Sequence, residues 1–181
     1  MKLYTKIVGL LFLVMMITAC KQSEKNTANP STSNSENRDV IYTSKMTKAD
    51  KKKYYNANNN VVFEVKYKSD GFKLRTASSK LLWKIKLYDN KIKISDNEEN
   101  LNPYEIKLIN SSEAKLVKED TKLARLTYDV ASKTQTITTT HETKSKEIKG
   151  KYSPSLLVNN ISEIPDDQKK IIMDELVLKG F

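Results

Sequence analysis

Apolar and polar residues alternate with a period of two from Val61 to about residue 140. In the first such segment Phe63, Val65 and Tyr67 alternate mainly with charged residues, which is the pattern of a strand with one buried face. Short turn signals, such as Ser-Asp-Gly at residues 69–71, separate the segments. The clearest predicted strands lie at residues 61–68, 72–75, 83–87, 91–94, 104–108, 114–117, 123–130 and 134–140. Residues 45–60 fit either a short helix or a lead-in to the first strand.

One pattern of five residues (apolar, charged, aliphatic, polar, apolar) occurs four times. The copies begin at Phe63, Trp83, Tyr104 and Ala124, at intervals of 20, 21 and 20 positions. A weaker strand follows each of the first three, so we interpret each unit as one hairpin with one apolar face. Because a lone hairpin is barely stable in water, the units must pair side by side. The prediction is a mainly β (α+β) domain, with an antiparallel sheet or barrel of about eight or nine strands.

The last thirty residues change to a helical pattern. Ser153 and Pro154 are typical of an N-cap and a first helical position, and they predict a short helix at about 154–160. A second helix, at about 165–179, begins with acidic residues at the positive end of its dipole. Its apolar positions cover more than half of its circumference; they are Ile171, Ile172, Met173, Leu176 and Val177. We therefore expect this helix to be buried, packed on or inside the sheet.

The N-terminal segment has the three parts of an export signal. Two lysines precede an uncharged apolar run at residues 7–17, which is too short for a permanent membrane span and suits a signal peptide. The sequence Ile-Thr-Ala-Cys at residues 17–20 resembles the lipobox of bacterial lipoproteins. That resemblance implies diacylglycerol on Cys20, cleavage after residue 19 and acylation of the freed amine. Residues 20–39 then form a polar, flexible linker, and residues 40–181 a single globular domain.

The hairpin repeats resemble a second family by pattern. Phe-Lys-Leu at residues 72–74 and Leu-Trp-Lys-Ile-Lys at residues 82–86, followed by an apolar C-terminal helix, look like the tubby C-terminal-like barrels. That superfamily includes the LURP-one-related proteins and the phospholipid scramblases. The resemblance covers residues 61–181 and includes no diagnostic motif, and the chain departs from the twelve strands of those barrels. It implies a barrel filled by a helix, with phospholipid headgroups bound on a basic outer surface.

The chain is basic, with a formal net charge of +10, and nearly all of the positive charge is lysine. Seven lysines alternate with the apolar positions and therefore share the predicted outer face: Lys66, Lys73, Lys84, Lys86, Lys91, Lys93 and Lys107. Beside a bilayer such a face attracts anionic headgroups at about 1 kcal/mol per lysine. The alternative, which we prefer at this point, is a solvated face in a lysine-rich protein. An exported protein rarely meets nucleic acid, so no nucleic-acid partner is predicted.

The sequence offers no recognisable catalytic set. Cys20 is the only cysteine and carries the predicted lipid, and His141 is the only histidine, so a nitrogen–sulfur metal site lacks partners. The acidic and amide residues at 96–100 suit either calcium or a turn between strands, and the turn is favoured. Glycine-rich phosphate loops and nucleophile motifs are missing. We predict no enzyme, metal or cofactor.

These features together predict a cell-envelope lipoprotein that is a binding or structural module tethered to the membrane. The alternative is a protein that binds phospholipid or an acyl chain, with a basic outer face. The expected partners are the membrane, through the N-terminal lipid, and anionic lipid or an envelope protein. Lys21 follows the predicted lipid site where an aspartate would resemble an inner-membrane retention signal. The outer membrane is therefore favoured in a cell that has one.

Overall fold

The structure is a computed structural model that describes residues 42–140 and 145–181. The predicted export signal, Cys20, the linker at 20–39 and His141 lie outside the described residues. The predictions made for these segments, including the domain boundary at residue 40, stay predictions.

The described chain forms one antiparallel sheet in which every strand pairs with its neighbours in sequence, from β1 to β11. The strands are β1 (Thr43–Lys48), β2 (Lys51–Tyr55), β3 (Val61–Lys68), β4 (Gly71–Thr76), β5 (Leu81–Tyr88), β6 (Lys91–Ser95), β7 (Tyr104–Asn110), β8 (Glu113–Lys118), β9 (Thr121–Asp129), β10 (Thr134–Thr139) and β11 (Lys146–Lys149). The mainly β fold and the antiparallel sheet are confirmed.

One part of the fold prediction is wrong, and one of its two alternatives is excluded. There are eleven strands instead of eight or nine, because β1 and β2 form within the ambiguous residues 45–60 and their flanks, and β11 forms after residue 145. All six positions of β1 are exposed, so this strand is defined by hydrogen bonds to β2. Because β1 has no buried face, its sequence lacks the apolar alternation that would have predicted a strand. The sheet also stays open, since its first and last strands do not pair with each other. The barrel alternative is therefore excluded.

The sequence repeat is also a repeat of hydrogen bonds. Each of the four copies forms the first strand of one hairpin, and its fifth residue donates its backbone N–H to the turn of the preceding hairpin. In the first two copies Tyr67 donates to the carbonyl of Asp50 and Leu87 to that of Asp70, each at 2.8 Å. Leu108 and Tyr128 repeat this bond to Asn90 and Ser112 at the same distance. Each turn is thus fixed to the next hairpin along the sheet.

One face of the sheet, the inner face, carries the hydrophobic core. Cross-strand partners such as Val65, Leu74 and Trp83 belong to this face, and they are buried together with residues from both C-terminal helices. A 3-10 helix spans Pro154–Asn160, and helix α1 spans Asp166–Leu178. Both predicted helices are confirmed, and α1 lies on the sheet.

Two details of the helices differ from the predictions. Ser153 precedes the 3-10 helix but makes no capping bond; its hydroxyl lies 2.6 Å from that of Ser155 instead. Helix α1 is buried only along a stripe that includes Ile171, Ile172 and Leu176. Val177 is 56% exposed, because α1 covers one face of the sheet and its own far side meets solvent.

Candidate functional site

The face of the sheet opposite the helices, the outer face, carries all seven lysines that the alternation predicted to share it: Lys66, Lys73, Lys84, Lys86, Lys91, Lys93 and Lys107. Their strand neighbours, among them Val65, Ile85 and Ile106, point to the core. Since successive side chains of a strand point to opposite faces, the buried neighbours fix the orientation of the lysines.

Strand register aligns four of the basic residues across β2 to β5. Lys51 pairs with Lys66, Lys66 with Lys73, and Lys73 with Lys84. We call these four residues the first row. Directly opposite side chains have Cβ atoms about 5 Å apart, and like charges at that distance repel each other. The alignment therefore makes the fold less stable than a row in which lysines and acidic residues alternate.

A second row of four basic residues crosses β6 to β9. Lys91 pairs with Lys107, Lys107 with Lys115, and Lys115 with Arg125. The cross-strand pair of Lys86 and Lys93 lies between the two rows. The first row, this pair and the second row together are called the basic stripe; they run obliquely from β2 to β9.

Three members of the stripe were missed by the sequence prediction. Lys115 alternates with Ala114 and Leu116, so the same pattern identifies it once the outer face is considered as a whole. Arg125 stands in the fourth repeat at the position that a charged residue occupies in the others. Lys51 lies in the segment whose structure the pattern left ambiguous, and only its pairing with Lys66 places it.

Carboxylates are interspersed with the stripe and pair with most of its members. Glu105 is central, with carboxylate oxygens 3.0 Å from Lys93 Nζ, 3.4 Å from Lys107 Nζ and 3.7 Å from Lys91 Nζ. Burial alone would raise the pKa of Glu105, but its lysine neighbours outweigh burial and lower it. A carboxylate with a lowered pKa is a weak proton acceptor, so Glu105 is better suited to charge pairing than to acid–base catalysis.

The acidic and amide residues at 96–100 act as a turn that also supplies a counter-ion. Asn97 accepts a hydrogen bond from the backbone N–H of Leu101 at 2.7 Å, and Asn100 has a positive φ of 61°. Glu98 extends to the outer face and pairs with Lys73 and with Arg75, the latter at 2.6 Å. Asn97 and Asn100 thus stabilise the turn, and the Glu98 carboxylate neutralises positive charge at the first row.

Three half-buried lysines of the stripe have no such counter-ion: Lys66, Lys84 and Lys115. Within residues 42–140 and 145–181 none of them pairs with a carboxylate, although Lys84 donates to the backbone carbonyl of Glu98. A surface cavity of about 240 Å³ also opens next to the centre of the stripe, but it is not itself cationic, because its lining places the carboxylates of Glu105, Glu119 and Asp120 beside Lys93 and Lys107. The outer face therefore offers unneutralised cations on a rigid, regularly spaced frame.

The inner face has a polar cluster of its own, between helix α1 and the sheet. The buried carboxylate of Glu175 accepts hydrogen bonds from Tyr54 at 2.5 Å and from Tyr67 at 2.7 Å, and it pairs with Lys52 at 2.8 Å. Burial, followed by the bonds to Glu175, raises the pKa of both tyrosines. All four groups have partners, so the cluster joins the helix to the sheet.

Comparisons with protein-family models, curated proteins and solved structures found no match to this chain. Neither of the two helices in the described part of the chain has the length and apolar character needed to cross a bilayer.

Proposed function

We propose that this protein is a non-enzymatic binding module, tethered to the bacterial envelope by lipid on Cys20, whose outer face binds an anionic partner. The observation that carries the proposal is the register of the sheet, which aligns like charges on eight consecutive strands. Random placement of lysines on a solvated surface does not require such alignment. Carboxylates already pair with seven of the ten members of the stripe. An anion bound at Lys66, Lys84 and Lys115 would relieve the repulsion that remains, so the alignment favours a binding role over simple solvation.

The inner face supports the same choice of surface. The helices cover it, and its core side chains, such as Leu74, Ile106 and Leu116, are fully buried. An acyl chain bound there would have to displace the helices. Among the described residues neither helix covers the outer face, and the turn at residues 96–100 reaches only part of it, through Glu98. The proposal therefore places binding on the outer face and keeps the lipid of Cys20 as the anchor.

The experiment uses the processed chain, residues 20–181, with Cys20→Ser so that no acyl group attaches. Retention on phosphocellulose is compared between this chain and the triple variant Lys66→Gln, Lys84→Gln and Lys115→Gln. Each lysine near an anionic surface contributes about 1 kcal/mol, so the triple variant should elute at clearly lower salt.

A matched control removes the same charge elsewhere. Lys146→Gln, Lys151→Gln and Lys170→Gln alter exposed lysines outside the stripe, and this triple variant should elute close to the parent. If both triple variants elute together, retention reflects net charge alone and the proposal is wrong. Circular dichroism of all three proteins confirms that they are folded.

A further inference from the structure

Resting on the proposed function, we further propose that the basic stripe binds a flexible linear polyanion that crosses the strands, and that a flat lipid surface is not its main ligand. Three features of the molecule favour such a ligand: the length of the stripe, the twist of the sheet and the position of the three lysines without counter-ions.

The stripe is long compared with a single headgroup or small anion. It extends over eight strands, from Lys51 on β2 to Arg125 on β9. Neighbouring strands lie about 4.8 Å apart, so the seven intervals between β2 and β9 span roughly 34 Å. A small anion would contact one or two of these positions, while an extended polymer can contact them in succession.

The twist of the sheet favours a flexible polymer over a flat bilayer as the ligand of the stripe. Adjacent strands of a sheet rotate by about 20–25°, so the seven intervals accumulate roughly 150°. A twist of that size turns the two rows of the stripe in different directions, and an open sheet of eleven strands has the size at which twisted sheets usually curl. A flat bilayer can touch one row at a time, whereas a flexible chain can follow both around the curved face.

The lysines without counter-ions set a minimum length for the ligand. Lys66 and Lys84 belong to the first row and Lys115 to the second. Lys84 on β5 and Lys115 on β8 are three strands apart, and the register offsets them by four residues along the strand direction. Strand spacing and residue rise place them roughly 20 Å from each other. A polyanion shorter than this reaches free cations of one row only.

The test titrates the processed chain carrying Cys20→Ser with linear polyphosphates of graded length, using isothermal calorimetry. Affinity should rise about tenfold once the polymer exceeds roughly 20 Å, because the second contact then forms within one complex. Lys115→Gln should abolish that rise and leave the binding of short chains to the first row unchanged. The control Lys151→Gln should retain the full dependence on length.

Flotation with vesicles of phosphatidylglycerol and phosphatidylcholine in equal parts provides the competing arm. If affinity for polyphosphate does not depend on length, or if vesicles bind through the stripe more tightly than long polymer, the polyanion proposal is wrong. Stripe-dependent retention on phosphocellulose would then still support an anionic partner. If that retention is also independent of the stripe, the proposed function fails together with this inference.

Discussion

Gly71 begins β4 at a point where two strands approach closely. Its φ is +151°, and a Cβ atom added there would lie 2.0 Å from the backbone oxygen of Ile85 on β5. Because that atom belongs to a paired strand, it cannot move without disturbing the ladder. We expect Gly71→Ala to lower the free energy of unfolding by at least about 2 kcal/mol, as measured by urea denaturation.

Gly150 supplies the control for this substitution. Its φ is +144°, and an added Cβ would have no atom within 4 Å. Gly150→Ala therefore introduces the backbone strain without the steric conflict, and we expect it to lower the free energy of unfolding by about 1 kcal/mol. Equal losses at the two positions would show that the approach of Ile85 does not matter.

Glu175 is the residue that sequence analysis could not assign. It stands between Met173 and Leu176 in helix α1 as an ordinary polar residue, yet its side chain is only 1% exposed. Its partners Lys52, Tyr54 and Tyr67 are all more than a hundred positions away. Local pattern predicts which face of an element is apolar, but it cannot predict a polar group whose burial depends on three distant donors.

We expect Glu175→Ala to destabilise the fold by about 3 kcal/mol, because it leaves the Lys52 ammonium and two tyrosine hydroxyls without their acceptor. Glu175→Gln keeps the size and one acceptor oxygen, so its loss should be smaller, about 1–2 kcal/mol. Chemical denaturation measures both. The exposed neighbour Asp174 is the control, and Asp174→Asn should stay within about 0.5 kcal/mol. If Glu175→Ala did not change the free energy of unfolding, α1 would be held by apolar contacts alone.

At the scale of elements, the accuracy of the sequence prediction followed the amphipathic pattern. Strands β3 to β10 have one buried face, and their alternation was visible in the sequence. Strand β1 is exposed on both faces, and β11 is nearly so. These two edge strands are held by hydrogen bonds to one neighbouring strand, and such bonds require no pattern of apolar residues in the sequence. Lys51 was missed for a different reason: β2 buries Tyr54, but its other inner-face position, 52, is also a lysine, so the strand shows no alternation of apolar and polar residues.

The loop between the two helices is attached to the sheet by Glu163. Its carboxylate accepts a hydrogen bond from Tyr104 on β7 and lies 3.2 Å from Lys118 Nζ on β8. The bond from Tyr104, followed by one from Ser162, lowers the pKa of Glu163 from 4.5 to about 2. A carboxylate with a lowered pKa in the folded state stabilises the fold above its ordinary pKa. That contribution disappears as the pH falls from about 4.5 towards 2.

We therefore expect Glu163→Gln to reduce stability at neutral pH and to have little effect near pH 2. Because the Glu163 side chain is 48% exposed, solvent screening limits the difference to about 1 kcal/mol or less. Unfolding by urea at several pH values, with Glu147→Gln on β11 as an exposed control, measures it. A constant difference across this range of pH would contradict the assigned role.

For the whole molecule, the sequence repeat predicted a sheet but could not predict whether it closes. Closure depends on strand tilt and stagger, which determine whether the first strand meets the last. Here β1 has no core side chains, so no buried surface is gained by bending it around to β11. The C-terminal helices cover the inner face instead, and burial of the core is completed without a closed barrel.

The anchor and the binding face are proposed to be separate parts of the molecule, and this separation is testable in cells. The two or three acyl chains proposed for Cys20 would exceed the single chain that gives only marginal membrane attachment. Cys20→Ser, expressed behind an export signal whose cleavage does not require lipidation, should therefore move the protein from the membrane fraction to the soluble fraction, as judged by immunoblotting after ultracentrifugation. The triple variant Lys66→Gln, Lys84→Gln and Lys115→Gln keeps the anchor and should remain with the membrane. If the Cys20→Ser protein stays in the membrane fraction and the triple variant leaves it, the stripe is the anchor, and the division of roles between lipid and sheet is wrong.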